Sequence, residues 1–261
     1  MLTDYILKVA DAWWARDFAC SPDHLRPGAT HVQVHAGELI GDDGIWILAV
    51  GTWPVVSLPP AVFPGLRERA QDWSRETIST SETLEAGLGP FRPTRIVGPA
   101  FIGYATRECL AKDTKRQARQ LVDADGAAAT ALRTYCDAEA WEHGGSEFGR
   151  VPSFGAFTEE GGLAALAGYE TWGRIAHISI VSRPDRQSQG HGAAAVLAAA
   201  EHALQAGLVP QYRTLKANKP SMRLAQRLGF QEYGVSVYVK VEAAEPGDGS
   251  DEAHDGQFGT G

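Results

Sequence analysis

Gln187-Ser188-Gln189-Gly190-His191-Gly192-Ala193 is the stretch that indicates most about the fold of this chain. It follows an apolar run typical of a strand, Ile175 to Val181, and precedes an alanine-rich run typical of a helix, Ala194 to Ala206. A strand, a tight glycine turn and a helix start together predict a concave row of unpaired backbone N–H groups. Gly190 and Gly192 lack Cβ atoms, so an anion can approach that backbone closely. The stretch therefore predicts a binding loop for a diphosphate.

Two other glycine-rich loops differ from this stretch. It lacks the Gly-x4-Gly-Lys-Ser/Thr form that binds nucleoside triphosphates. Its spacing, Gln-x-x-Gly-x-Gly, also differs from the Gly-x-Gly-x-x-Gly of dinucleotide-binding folds. On its own the stretch is also compatible with a turn that only connects a strand to a helix. The residues downstream distinguish a binding loop from such a turn.

Those residues contain a second motif. Tyr212 to Ala217 predicts a strand, Asn218 to Phe230 a short helix that ends in Leu-Gly-Phe, and Val235 to Val241 a final strand. This order resembles the GNAT (GCN5-related N-acetyltransferase) superfamily. That family has an Arg/Gln-x-x-Gly-x-Gly/Ala loop and, downstream, an Asn-x-x-Ser/Ala helix that closes in Leu-Gly-Phe. The resemblance extends from Gln117 to Glu242.

Composition limits the class of protein. The chain has 261 residues with 44% hydrophobic content, which suffices for one large or two smaller domains. It has no apolar run long enough for a membrane span and no secretory signal at its start, so no membrane partner is predicted. Cys20, Cys109 and Cys136 are scattered, which predicts neither disulfides nor a zinc site and is typical of a cytoplasmic protein.

The charge of the chain is concentrated at its end. The net charge is −8, and the segment 242–261 contributes six acidic residues and no Lys or Arg. The rest of the chain is nearly neutral, so the basic excess expected of a nucleic-acid-binding protein is missing and no nucleic-acid partner is predicted. Residues 243–261 are predicted to be a disordered acidic tail.

The sequence predicts an α/β fold in two domains. Residues 1–110 predict a smaller N-terminal α/β domain of unassigned role, with residues 74–94 irregular; a degenerate GNAT-like unit is one interpretation of it. The polar stretch Ala111 to Gln117 marks the predicted boundary. Residues 117–242 then predict a GNAT-like domain with a mixed sheet and splayed central strands.

The resemblance implies acetyl-CoA as co-substrate and no metal. In the family, the strand that here ends at Ser182 parts from the strand around Arg213, and the pantetheine arm pairs with the exposed backbone of the gap. The diphosphate would lie on the loop amides, with the His191 side chain solvated. Asn218 and Ser221 match family positions near the cofactor, although an ordinary helix N-cap is the alternative. The predicted cofactor-binding residues are Ile180, Val181, Ser182, Gln187, Ser188, Gln189, Gly190, His191, Gly192, Ala193, Asn218 and Ser221.

The implied reaction is direct attack of a primary amine on the thioester carbonyl. An N–H near Val181 or Ser182 would stabilise the oxyanion. The family commonly has a tyrosine acting as general acid four residues before the glycine of Leu-Gly-Phe, and this chain has Ala225 there. Tyr212, Ser221, Tyr233 or water would have to replace it. The alternative to an enzyme is therefore a non-catalytic, CoA-binding regulatory module.

The general base is predicted near Trp141-Glu142-His143, where the family's second helix walls the acceptor cleft. Glu170 and His177 are comparable candidates, and His177 shares a strand face with Ser179. The predicted catalytic residues are Glu142, His143 and Tyr212. The sequence thus predicts a cytoplasmic N-acetyltransferase for a small-molecule or amino-acid-like amine, with a homodimer as an open alternative to a monomer.

Overall fold

The computed structural model describes residues 2–112, 114–145 and 148–242, so the predicted acidic tail lies outside the described residues. Within them the chain forms seven α-helices and ten strands. The helices are α1 (Asp4–Asp17), α2 (Phe63–Ala70), α3 (Ser81–Leu88), α4 (Gly126–Tyr135), α5 (Ala138–Gly144), α6 (His191–Gln205) and α7 (Lys219–Leu228). The strands are β1 (His31–Val34), β2 (Gly44–Ala49), β3 (Val55–Leu58), β4 (Pro93–Tyr104), β5 (Arg119–Gln120), β6 (Ser153–Phe157), β7 (Leu163–Trp172), β8 (Ile175–Ser182), β9 (Val209–Leu215) and β10 (Gln231–Val241).

All strands join one mixed sheet in the order β1-β3-β2-β10-β4-β9-β8-β7-β6-β5. The β1/β3 and β8/β9 pairs are parallel and the other pairs are antiparallel. The predicted class, an α/β fold with a mixed sheet, is confirmed. Strand β4 precedes the predicted domain boundary but lies between β9 and β10. The division into domains and the interpretation of residues 1–110 as a degenerate unit stay predictions.

Helix α3 corrects the expectation of an irregular segment at 74–94. The Thr80 hydroxyl accepts a hydrogen bond from the backbone N–H of Thr83 at 3.2 Å and caps the helix. Leu84 and Leu88 lie one turn apart and are buried against the sheet. Two apolar residues among Gly, Ser and Thr are too short a pattern to be recognised as a helix.

Helices cover both faces of the sheet and leave one part of it thinly covered. The clusters containing α2, α3, α6 and α7 pack on one face. Those containing α1 and α4 pack on the other face, at two separate places. On β8, Ile175 belongs to the α1 cluster and Val181 to the α4 cluster, so His177 and Ser179 lie between the two helices. This interval adjoins the candidate site.

Candidate active site

The central feature of the site is a gap between two parallel strands. Strands β8 and β9 pair as far as Ile178 and Tyr212 and then part. Beyond that point β8 stays paired with β7, and β9 stays paired with β4. We call the diverging segments, Ser179–Ser182 of β8 and Arg213–Leu215 of β9, the strand fork. Their facing edges are not paired with each other, so N–H groups there are available to an extended ligand. The Ser182 carbonyl already accepts a weak hydrogen bond from Cys136 Sγ at 4.0 Å.

The antiparallel hydrogen bonds between β7 and β8 determine which backbone groups of β8 face the strand fork. The backbone N–H of Arg183 donates to the Ala164 carbonyl of the segment leading into β7 at 2.9 Å. Backbone groups alternate in direction along an antiparallel pair, so those of Val181 also face β7. Those of Ile180 and Ser182 face the strand fork. Of the two amides predicted near the oxyanion, the one that faces the gap is therefore that of Ser182.

The end of helix α5 lies against one of these groups. A Cβ atom at Gly144 would overlap the carbonyl oxygen of Ile180 and would lie 3.1 Å from its carbonyl carbon. Glycine is therefore what lets α5 come this close to the strand fork. Glu142, on the same helix, is exposed, and the side chain of His143 lies outside the described residues.

The glycine loop, Gln187–Ala193, has the backbone conformation of an anion-binding turn. Ser188 and Gly190 have positive φ angles of 62° and 94°. A left-handed residue next to right-handed ones turns successive N–H groups to the same side and forms a concave nest. Helix α6 then begins at His191, directly after Gly190, so the nest continues into the helix N-terminus.

The amides of this loop are largely unused. Helix α6 has no side-chain cap, and the first amide bonded back to the loop is that of Ala194, which donates to the Gly190 carbonyl at 3.1 Å. The amide of Gln187 already donates to the Pro184 carbonyl at 3.4 Å. From Ser188 to Ala193, no amide has a partner among the described residues. These amides are free to bind an anion.

Basic side chains stand beside the loop. A Cβ atom at Gly190 would lie 3.6 Å from Cγ of Arg116 and 3.7 Å from Cβ of Lys115. Arg116 and Arg186 each pair with an exposed glutamate, at 3.1 Å and 3.9 Å. Exposed pairs of this kind exchange readily for a ligand anion because they contribute little stability. Positive charge thus adjoins the free amides.

His191 is not the solvated side chain that the sequence predicts. As the first residue of α6 it is only 2% exposed. The backbone of Arg186 comes near its ring, yet neither ring nitrogen completes a hydrogen bond with the described residues. Burial, followed by the charge of Arg116, lowers the pKa of His191, so the ring is neutral at pH 7. The alternation of polar and glycine residues in the loop did not reveal this burial.

Asn218 and Ser221 take part in the structure of α7. The Asn218 side chain accepts a hydrogen bond from the backbone N–H of Ser221 at 3.1 Å, which is the N-cap alternative. The Ser221 hydroxyl lies 2.9 Å from the hydroxyl of Tyr212. Tyr212 is 2% exposed, and burial raises its pKa to about 12, so its hydroxyl stays protonated at neutral pH. Their roles toward a cofactor stay predictions.

The Tyr212 hydroxyl lies in the region that a tyrosine at position 225, as the family commonly has, would occupy. Ala225 is buried and follows Ser221 by about one turn on the same face of α7. Helical side chains lean toward the helix N-terminus, so a tyrosine at 225 would project over Ser221. The Tyr212 hydroxyl reaches that region from β9, next to the strand fork.

His177 lies on the face of the sheet opposite to that of Tyr212. Its Nδ1 is 2.8 Å from Oε1 of Gln211, its partner across β8 and β9, and its ring stacks on Trp172 with centroids 4.0 Å apart. Burial lowers the pKa of His177, with Gln211 and Glu170 acting in the other direction. Glu170 is exposed and accepts a hydrogen bond from Trp172 Nε1 at 3.2 Å. His177 is thus the histidine next to the strand fork.

Tyr233, another predicted proton donor, does not reach the strand fork. Its hydroxyl donates to the Asp11 carboxylate of α1 at 2.7 Å. Burial, followed by the hydrogen bond to Asp11, raises its pKa.

The site also contains residues that the sequence did not identify. Gln211 and the pair at 115–116 have no motif, because their place depends on strand pairing and on the path of a loop.

Two negative observations apply to the described residues. Nowhere in 2–112, 114–145 and 148–242 do three or more His, Cys, Asp or Glu residues group as a metal site would require. Over the same ranges, no helix is long and apolar enough to cross a membrane.

The structure thus combines a mixed α/β sheet that contains a strand fork with a glycine loop at a helix N-terminus. Residues 121–230 match the family model described as Acetyltransferase (GNAT) family, so this part of the chain is similar to the GNAT superfamily. Proteins with this domain generally use acetyl-CoA, so the family supports an acyltransferase activity. No curated protein matches the chain in sequence.

Several solved structures are similar to this chain. A protein assigned to the GNAT acetyltransferases from Novosphingobium aromaticivorans is 20% identical, with a TM-score of 0.47 over 60% of this chain and 69% of that one. A GNAT-family acetyltransferase from Colwellia psychrerythraea is 15% identical, with a TM-score of 0.46 over 61% of this chain and 62% of that one. The ribosomal-protein-S18-alanine N-acetyltransferase from Escherichia coli is 19% identical, with a TM-score of 0.36 over 50% of this chain and 97% of that one.

Proposed function

We propose that this protein is an acetyl-CoA-dependent N-acetyltransferase that acetylates the primary amine of a small-molecule or amino-acid-like acceptor. The observation that carries the proposal is the strand fork with a tyrosine hydroxyl on one face and a half-buried histidine on the other. Tyr212 belongs to the last pair before the strands part, and His177 to the pair before it. Acid and base would thus flank one reaction centre.

The chain offers matching groups to each part of the co-substrate. Acetyl-CoA, when bound, supplies an activated thioester carbonyl and a thiol leaving group. The free amides from Ser188 to Ala193 would bind the diphosphate, together with the charges of Lys115 and Arg116. In the strand fork, the Ser182 amide would pair with the extended arm on its way from the glycine loop. The Ile180 amide also faces the strand fork and lies two residues from the last β8/β9 pair, so it would face the developing negative charge.

His177 is the base that the geometry favours among the predicted candidates. With Nδ1 bonded to the Gln211 oxygen, Nδ1 carries the hydrogen and Nε2 carries the free lone pair. The lowered pKa keeps this ring neutral at pH 7. Glu142 and Glu170 are exposed and have no comparable fixed orientation toward the strand fork. His177 Nε2 would accept the proton of the attacking amine as the new C–N bond forms.

Tyr212 would act as the acid. As the C–S bond breaks, its electron pair leaves with the sulfur, and the Tyr212 hydroxyl would donate the proton that completes the thiol. The resulting tyrosinate regains a proton from water. A thiol with a pKa of ~8.5 leaves readily as its thiolate, so this help is moderate rather than essential.

Tyr212→Phe is expected to lower kcat about 10- to 100-fold, because it removes the proton donor and leaves the ring packing in place. The affinity for CoA should change little, since the diphosphate loop is untouched. Ser221→Ala is the matched control, because it removes the neighbouring hydroxyl but leaves that of Tyr212. Steady-state kinetics with acetyl-CoA checks both variants. Equal losses in the two variants would exclude Tyr212 as the acid.

The function is tested by incubating the complete protein with acetyl-CoA and a panel of primary amines while following free thiol release. Amine-dependent thiol release, with the acetylated amine detected by mass spectrometry, is the expected result. Saturable CoA binding without turnover on any amine would instead identify the non-catalytic, CoA-binding regulatory module. A cytoplasmic location, the expected lack of nucleic-acid and membrane partners, and the oligomeric state stay predictions.

A further inference from the structure

Helix α1 lies outside the segment 121–230 that matches the family, yet it connects to the candidate base. Two consecutive residues of α1, Trp13 and Trp14, reach His177 by separate routes. One route covers the face of the imidazole and the other fixes its edge. The route from Trp13 passes through Trp172, and the route from Trp14 passes through Tyr104 and Gln211.

The first route is a stack of rings. Trp13 lies on Trp172 with centroids 5.6 Å apart and planes 15° apart. Trp172 lies on His177 with centroids 4.0 Å apart and planes 10° apart. The Arg16 guanidinium lies 4.6 Å from the Trp13 ring centre and extends the stack along α1. The imidazole plane is therefore held by an indole that α1 itself holds.

The second route is a chain of hydrogen bonds. Trp14 Nε1 donates to the hydroxyl of Tyr104 at 2.9 Å, and Gln211 Nε2 donates to the same hydroxyl at 2.7 Å. The Gln211 oxygen then faces His177 Nδ1 at 2.8 Å. Trp14, Tyr104 and Gln211 are almost fully buried, so the chain is shielded from water. Because the carboxamide is anchored at one end, its other end determines which imidazole nitrogen carries the hydrogen.

An acyltransferase base must present its lone pair at a fixed angle to the acceptor amine. We propose that helix α1 orients His177 for proton abstraction at the strand fork, with Trp13 and Trp14 as positioning residues that act through Trp172 and Gln211. This inference rests on the proposed function and assigns a catalytic task to a helix outside the family domain. It also explains why two tryptophans are adjacent: the Trp13 side chain is half-buried on Trp172, and that of Trp14 is buried in the core.

The charges around His177 set the sign of the expected pH effect. Arg213, on β9, lowers its pKa, and Glu170, its partner across β7 and β8, raises it; burial outweighs both. Removing Trp13 would admit water to the stack and weaken the effect of burial, so the pKa of His177 should rise. A base works only when unprotonated, so the acidic limb of the kcat/KM profile should move to higher pH.

Trp13→Leu and Trp14→Phe test the two routes in the complete protein. Trp14→Phe keeps most of the ring but loses the indole N–H. Trp73→Phe is its matched control, because Trp73 is equally buried in the α2/α3 cluster and its Nε1 has no partner among the described residues. Folding is checked by circular dichroism. The ring protons of His177 are followed by NMR against pH, with His177→Gln to assign them, and kcat/KM is measured over the same range.

We expect kcat to fall about tenfold in both α1 variants, with the affinity for CoA unchanged. We also expect the His177 titration and the acidic limb to shift together in Trp13→Leu, while Trp73→Phe behaves as wild type. An unchanged His177 titration and unchanged kcat in folded α1 variants would overturn the proposal and leave the function intact. An equal loss in Trp73→Phe would overturn it as well. Absence of thiol release from the wild type with every amine would overturn the proposed function and this inference together.

Discussion

Replacing Gly229 by alanine should lower the free energy of unfolding by about 3–5 kcal/mol. Gly229 ends α7 with a φ of 88°, and its N–H bonds to the carbonyls of Ala225 and Gln226. An added Cβ atom would overlap the carbonyl oxygen of Cys109 and lie 2.8 Å from its carbonyl carbon. The obstructing atoms belong to the backbone, so no side chain can rotate away. Either α7 or the segment after β4 would have to move.

Gly207→Ala separates the two causes of this loss. Gly207 follows α6 with a φ of 75°, but no atom lies within 4 Å of the position of its Cβ. It should therefore show only the left-handed penalty, about 1–2 kcal/mol. Urea or guanidinium unfolding of both variants measures the difference. If the two substitutions destabilise the protein equally, the close approach of Gly229 to Cys109 has no energetic consequence and the expectation is wrong.

Gly190→Glu should weaken CoA binding at least ~100-fold, equivalent to ~2.7 kcal/mol, while the fold is retained. The carboxylate would stand among the free amides of the glycine loop, next to Lys115 and Arg116. It would repel the diphosphate and at the same time neutralise the nearby cations. Space for the side chain is available, because its Cβ would meet only ordinary contacts at 3.6 and 3.7 Å. Apart from the left-handed penalty at a φ of 94°, about 1–2 kcal/mol, the loss should therefore be in binding rather than in folding.

The control for this variant is Gly41→Glu. Gly41 has a φ of 90°, nearly that of Gly190, and no atom lies within 4 Å of its Cβ position. Gly41→Glu introduces the same strain and the same charge away from the glycine loop. Gly41 precedes β2, which is four strands from β8 in the sheet. Calorimetric titration with CoA compares the two variants, and circular dichroism checks their folding. Wild-type affinity in Gly190→Glu would remove the loop from the site.

The motifs predicted the parts of this protein that depend on local backbone chemistry. A glycine before a helix start reveals the loop, and Leu-Gly-Phe after a helical run reveals the end of α7, since both need conformations that few residues adopt. The strand fork followed from the resemblance that these motifs carry. The burial of His191 was missed because it depends on how the segment at 115–116 and the loop pack together.

Long-range arrangements were out of reach of the sequence. Trp14 and Tyr104 are separated by 90 residues, and Tyr104 and Gln211 by 107, so no periodicity connects the chain of hydrogen bonds at His177. The place of β4 was missed for the same reason. Its apolar residues indicate a strand, but nothing in them specifies that its neighbours are β9 and β10.

The position of β4 has a consequence for how the molecule is made. On the ribosome, β4 is synthesised long before the two strands that flank it, so both its edges stay unpaired until residues 209–241 have been made. Pairing over such separations is slow, and open edges are prone to association with other chains. Of the ten described strands, β10 is synthesised last, and it joins β2 to β4. A message truncated before residue 231 would therefore yield two unconnected half-sheets, β1-β3-β2 and β4 through β5.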